Sequence, residues 1–270
     1  ANTLIEQYWT PEHLEGVQAE TARYYIEAGI ERVEGELHEP ESFLEAEAEW
    51  KEKAESYLSL VLEKRNKEAR GVITSLLEAE EDVRDIYRHI LLPVQREVGR
   101  LWQLNRISVA DEHYATDITR RVMDEISGRI RGTSGNKGRI ISTCMGGEYH
   151  DMGIRMVNDF FNMHGYETLY TGANTPAISI VHWLKNDHYD LIAISAALTA
   201  HLRIVMDSIR TIRDQGFTDI PVLVGGYAFN EEPDLWQDVG ADGWAPSAEE
   251  AVSVAEKLIH ADLLPRESKQ

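Results

Sequence analysis

A single cysteine, Cys144, occurs in the 270 residues, and one thiol can neither close an intramolecular disulfide nor build a cysteine-rich zinc site. That fits a reducing compartment and leaves any metal chemistry to His, carboxylates or a prosthetic group. No apolar run approaches the roughly eighteen residues a membrane span requires. The first thirty residues carry Glu6, Glu12, Glu15, Glu20 and Glu27, where a signal peptide needs a basic flank and an apolar stretch. A cytoplasmic protein without membrane association is expected. Basic residues are also scarce: 27 Lys and Arg against 47 Asp and Glu give a formal net charge of −20. Such a charge repels phosphate backbones, and no basic stripe or helix-turn-helix pattern offsets it, so direct nucleic-acid binding is not expected. The acid gathers early, with fifteen Glu in residues 1–60 against Arg23, Arg32, Lys51 and Lys53, and reads as a solvated helical surface.

What is present divides into two halves of different period. Up to about residue 131 apolar residues recur at helical spacing. Thr10 and Pro11 suit the start of one helix. Glu41 onward gives a second, with Phe43, Ala46, Trp50, Ala54, Tyr57 and Val61 inward, and Ala69, Val72, Ile73, Leu76 and Leu77 mark a third. A fourth carries Val83, Ile86, Ile90, Val94, Val98 and Leu101, with a kink expected at Pro93, which lacks an amide donor and crowds the preceding turn. Ser108 and Asp111 have capping-box spacing and would open a fifth helix running to about Ile130.

The turn-forming stretch from Gly132 to Gly138 then marks a boundary. Beyond it short apolar runs alternate with amphipathic segments: Arg139 to Met145, Glu167 to Gly172, Asp190 to Ala196, Pro221 to Gly225 and Asp242 to Ala245. This alternation predicts an α/β domain, a flavodoxin-like five-stranded parallel sheet of order 2-1-3-4-5, preceded by an all-α bundle. The expected organisation is an N-terminal helical extension over 1–40, a four-helix-bundle cap over 41–131, a linker over 132–138 and the sheet domain over 139–270.

In such a sheet ligands bind outside the C-terminal strand ends, at the switch point between the first and third strands. After the first strand comes Gly146-Gly147-Glu148-Tyr149-His150-Asp151-Met152-Gly153. This puts an imidazole in an exposed turn with a carboxylate two positions before it, a partner that fixes the tautomer and raises the basicity of a metal-ligating His. Gly153 lets a bulky ligand pass close to the backbone. Ser195, Leu198 and Thr199 follow the third strand, and Gly225, Gly226 and Tyr227 follow the fourth; these small residues leave a channel for something long and flat-ended. A lone loop His is more often a surface residue, and a Gly pair is usually only a tight turn. The coincidence of three such elements at three strand ends outweighs this.

Together they resemble the signature of cobalamin-binding domains, whose first motif usually has Asp where Glu148 stands. The resemblance covers residues 138 to about 262. It implies that His150 displaces the dimethylbenzimidazole base from cobalt, while the nucleotide tail fills the channel by Ser195, Leu198, Gly225 and Gly226. In the helical half, Trp102 is separated by nine residues from the pair Glu112 and His113, a pattern similar to cobalamin-dependent light sensors of the CarH type. That resemblance, over about 41–131, implies that Trp102 caps the upper face of adenosylcobalamin, with Glu112 and His113 lining its pocket, and that light breaks the cobalt–carbon bond and shifts domain packing. Gln103 stands where those sensors have a His, and the DNA-binding domain is missing, so output would pass to a protein effector or self-association, with a homodimer expected. Related photocobilins imply a biliverdin-type bilin as second chromophore, for which Tyr24, Tyr25 and Trp50 are candidates. The rival reading is the corrinoid carrier subunit of a methyltransferase system, which shares the bundle and the His motif. A third is an interaction module with a degenerate site. No nucleophile and base pair suggests enzymatic turnover, and no substrate barrel of a mutase fits in the chain.

Overall fold

The structure, a computed structural model, describes residues 41–44, 48–130, 137–231 and 234–261. The expected extension over 1–40, with Thr10, Pro11, Tyr24 and Tyr25, and the turn-forming residues 131–136 lie outside the described residues.

The helical half begins with α1 (Ala48–Leu62) and α2 (Asn66–Glu78). α3 (Val83–Ile86), capped by the Asp82 carboxylate on Arg84 N, runs through a π turn, Tyr87–Leu91, into α4 (Leu92–Gln103). Pro93 therefore does not break the path. The wider π turn ahead of it absorbs the lost donor, and Leu92 N reaches back to Tyr87 O. α5 (Val109–Ser127) starts on the capping box read from the sequence: Ser108 Oγ accepts from Asp111 N, and Asp111 Oδ2 accepts from Ser108 N at 3.1 Å. It ends at Ser127, a little short of the expected Ile130.

The second half winds β1 (Arg139–Met145), α6 (Met152–Met163), β2 (Glu167–Thr175), α7 (Ala177–Asn186), β3 (Leu191–Ser195), a 3-10 turn Thr199–His201, α8 (Leu202–Asp214), β4 (Val222–Gly225), α9 (Tyr227–Glu231), α10 (Leu235–Asp238), β5 (Gly243–Ala245) and α11 (Ala248–Ala261). The sheet is parallel throughout with order β2-β1-β3-β4-β5, the flavodoxin-like arrangement expected. β2 runs three residues beyond the segment read from the sequence, with register shifts against β1, and ends beside Asn174, which adopts a left-handed backbone.

Side chains alternate across a strand, so β1 feeds two cores. Ile140 and Cys144 face one, and Ile141 and Met145 the other. The first core runs on into the bundle without interruption, joining Phe160 and Phe161 of α6 to Tyr57, Ile86, Ile90 and Ile118. Polar contacts reinforce the join. Tyr87 Oη donates to Asp159 Oδ2 at 2.5 Å, Ser127 Oγ donates to the same oxygen at 2.9 Å, and Arg88 pairs with Glu249 of α11. The bundle is thus packed on the sheet face that carries α6 and α11, above the side where the candidate site opens.

Candidate functional site

The loop between β1 and α6 is built around Glu148. Its carboxylate is only 1% exposed, yet five N–H groups from two loops converge on it. Oε1 accepts from His150 N at 2.9 Å and lies 2.6 Å from His150 Nδ1. Oε2 accepts from Ala197 N at 2.8 Å and Leu198 N at 3.4 Å, and lies 2.8 Å from His201 Nδ1. Burial by itself would raise this carboxyl; the hydrogen bonds from the two imidazoles and the backbone outweigh it and hold it well below the usual carboxylate range. The same bond raises His150 against the opposing effect of burial, with Glu112 of α5 and Asp151 adding negative charge. With Nδ1 donating to Glu148, the lone pair of the neutral ring sits on Nε2, and the half-exposed ring, 58% accessible, carries it outward as a metal ligand requires.

Neighbouring residues pin the loop. Asn174 Oδ1 accepts from Gly147 N at 2.8 Å, and Asn174 N donates to Glu148 O at 2.9 Å. Asp151 accepts from Tyr170 Oη at 2.7 Å and pairs with Arg120 of the bundle, so it anchors the loop and does not face a ligand. Met152 opens α6, while Tyr149 is 66% exposed beside His150.

A cavity of about 540 Å³ lies behind this loop, between α6 and α11, and follows the ends of β3, β4 and β5. Gly153, Ser195, Gly225, Gly226 and Tyr227 line it, as the sequence led us to expect. It does not use the β1 strand itself, and Leu198 and Thr199 stand outside it. Gly226 has φ +100°, and a Cβ there would meet Ala196 O at 2.4 Å and Ser195 Oγ at 2.8 Å. The cradle exists only because that side chain is missing. The Ser195 hydroxyl on the wall has no hydrogen-bond partner among the described residues, a polar group left for a ligand to satisfy. An outward imidazole nitrogen above a deep, mostly apolar slot fits a flat metal macrocycle with a long tail: a cobalamin-type corrinoid.

Comparison with known proteins agrees. A family model described as B12 binding domain matches residues 138–253, and a second of the same description matches 54–127. Dimethylamine corrinoid protein 3 of Methanosarcina mazei is 30% identical over 128 residues, 47% of this chain and 75% of that protein. Dimethylamine corrinoid protein 1 of Methanosarcina acetivorans is 26% identical over 186 residues, 67% of this chain and 86% of that one. A corrinoid protein of Desulfitobacterium hafniense and the dimethylamine corrinoid protein of Methanosarcina barkeri are 30% and 32% identical, and the chain spans 62% and 60% of their length. Among solved structures, the monomethylamine corrinoid protein of Methanosarcina barkeri superposes with a TM-score of 0.68 at 18% identity, over 77% of this chain and 98% of that one, which shows the shared fold. The chain belongs to the family of B12-binding corrinoid proteins.

These relatives overturn the light-sensor expectation: they are corrinoid proteins named for methylated amines. The features behind that expectation have plainer physical causes. Glu112 and His113 lie in the first turn of α5, where an acid is favoured by the unpaired helix amides. They are not hidden: His113 is 76% exposed, and Glu112 accepts from Thr116 Oγ1 at 2.9 Å. Trp102, at the end of α4, is 46% exposed. Trp50 stacks on His89 with ring centroids 5.2 Å apart, and Lys53 lies over its ring, so its place is accounted for without a bilin. Among the described residues no helix is long and apolar enough to cross a membrane. His201 escaped sequence reading. It lies six residues beyond Ser195, and a single loop His carries no mark of which carboxylate it will meet.

Proposed function

We propose that this chain is the corrinoid carrier of a methyltransferase system, holding a cobalamin-type corrinoid with His150 Nε2 as lower axial ligand. The observation that carries the reading is the Glu148–His150 pair at the mouth of a slot that opens beside it. When bound, the corrin cobalt supplies a centre that accepts a methyl group and gives it up again. Glu148 fixes the His150 tautomer and orients its ring. Gly225, Gly226 and Ser195 hold the nucleotide tail, with Gly153 giving it clearance at the start of α6. Trp102, Glu112 and His113, at the exposed junction of α4 and α5, stand where a partner must approach. That partner is a methyltransferase subunit, and the substrates that suit the relatives' names are methylated amines. The adenosyl group, the bilin and the homodimer expected from the sensor resemblance have no part in this reading. The chain carries the group and the partner performs the chemistry, which accords with the absence of a nucleophile and base pair from the sequence reading.

The test is reconstitution of the full chain with hydroxocobalamin, followed by gel filtration and visible spectroscopy beside His150→Ala. Retained cobalamin with a histidine-ligated spectrum that the variant lacks is the expected result. A wild-type chain that elutes free of cobalamin refutes the proposal.

A further inference from the structure

The Glu148 carboxylate serves two imidazoles, and the second belongs to no part of the motif that marks the cobalt loop. His201 ends the 3-10 turn that leads into α8. Its ring is 18% exposed, and Nδ1 lies 2.8 Å from Glu148 Oε2. The far edge of the ring rests on the His150 loop itself: a Cβ on Gly147 would sit 3.9 Å from His201 Nε2. Among the described residues no Lys or Arg pairs with Glu148, so the two imidazoles are the only side chains that engage it.

A carboxylate keeps one orientation only while both oxygens are engaged. Oε1 is committed to His150, through both the ring and the backbone amide. On Oε2, Ala197 N at 2.8 Å and Leu198 N at 3.4 Å come from one short stretch of backbone and approach from one side. His201 supplies the other side-chain donor on that oxygen. Without it the carboxylate can turn about its last bond, and the bond to His150 Nδ1 loosens with it.

We propose that His201 is a positioning residue of the cobalt-binding loop: by holding Oε2 of Glu148 it keeps Oε1 on Nδ1 of His150, and so presents Nε2 in a single tautomer and orientation. The proposal rests on the carrier reading only for what Nε2 binds; the orientation of the ring is a property of the chain alone.

Asn carries an N–H donor near the place of His Nδ1, whereas Ala carries none and Gln places its donor one bond farther out. The full chain is loaded with hydroxocobalamin and reduced by one electron, and the nitrogen splitting of the cobalt(II) electron-spin resonance signal reports the fraction with an axial imidazole. His201→Ala should lower the ratio of imidazole-bound to unbound cobalt by roughly tenfold, the lower end of what outer partners of a ligand contribute. His201→Asn should restore it, and His150→Ala should abolish the splitting. In parallel, histidine 15N spectra of the chain without cobalamin should show one His150 tautomer in the wild type and His201→Asn, and a mixture in His201→Ala. His201→Ala indistinguishable from wild type in both readouts overturns the proposal. Failure of the wild type to take up hydroxocobalamin overturns the carrier reading instead, and the 15N spectra then decide the role of His201 alone. If His201→Ala does not fold, the contrast between Asn, which must match wild type, and Gln, which must not, decides it.

Discussion

Replacing Gly226 by Ala tests whether the cavity depends on a missing side chain. Three costs coincide there. A residue with a Cβ at φ +100° is strained, by about 1–3 kcal/mol. The new methyl would sit 2.4 Å from Ala196 O and 2.8 Å from Ser195 Oγ, so the turn after β4 must retreat by about 1 Å to regain ordinary contact. Retreat in turn weakens the bond from Ala228 N to Ala196 O, now 3.3 Å, which stitches that turn to the end of β3. We expect a loss of about 3 kcal/mol, equivalent to a melting midpoint roughly 6–12 °C lower for a domain of this size. Hydroxocobalamin uptake should weaken as well, because the displaced turn is a wall of the cavity. Gly71→Ala is the control. It lies inside α2 with nothing within 4 Å of its Cβ position and should gain about 0.5–1 kcal/mol from the lower entropy of the unfolded chain. Urea unfolding of both variants reads the stability, and spectral titration reads the uptake. Equal stability of the two variants, or undiminished uptake in Gly226→Ala, would refute the reasoning.

Three further outcomes follow from buried polar groups. Burial raises the Asp159 carboxyl above its ordinary value near 3.8, against the bonds from Tyr87 and Ser127, so the folded state holds that proton to higher pH than the unfolded state. Its contribution to stability is therefore greatest at low pH and is lost as pH rises; Asp159→Asn should gain on the wild type between pH 4 and pH 7 in urea unfolding, and a constant gap would count against this. Glu97→Ala strips the partner from Arg100, whose Nε and Nη2 donate to the buried Glu97 carboxylate at 2.9 and 2.6 Å, and should cost about 3–5 kcal/mol; a loss under about 1 kcal/mol would show that water replaces the pair. Ser195→Ala breaks no hydrogen bond among the described residues, so unfolding should shift by less than about 0.5 kcal/mol, while hydroxocobalamin affinity falls several-fold; a large stability loss would mean the hydroxyl is structural.

The sequence by itself determined the local grammar. The strands were legible because buried parallel strands read as short apolar runs, and their number and spacing implied the observed order. Ser108 and Asp111 declared the start of α5 because a capping box needs only residues three apart. Glu148 and His150 were legible as a pair for the same reason, since two positions in one turn must meet. The residues lining the cavity were found because small side chains at strand ends leave space wherever the sheet puts them. Tertiary structure decided the rest. His201 and Glu148 are 53 residues apart, and only the β1–β3 pairing brings their loops together. Arg120 and Asp151, and Tyr87 and Asp159, meet because the bundle packs on α6, which no local period encodes. The Trp102, Glu112 and His113 pattern misled because spacing along two helices says nothing of exposure: a helix end can display ionisable groups to water as readily as to a cofactor, and only the packed chain shows which.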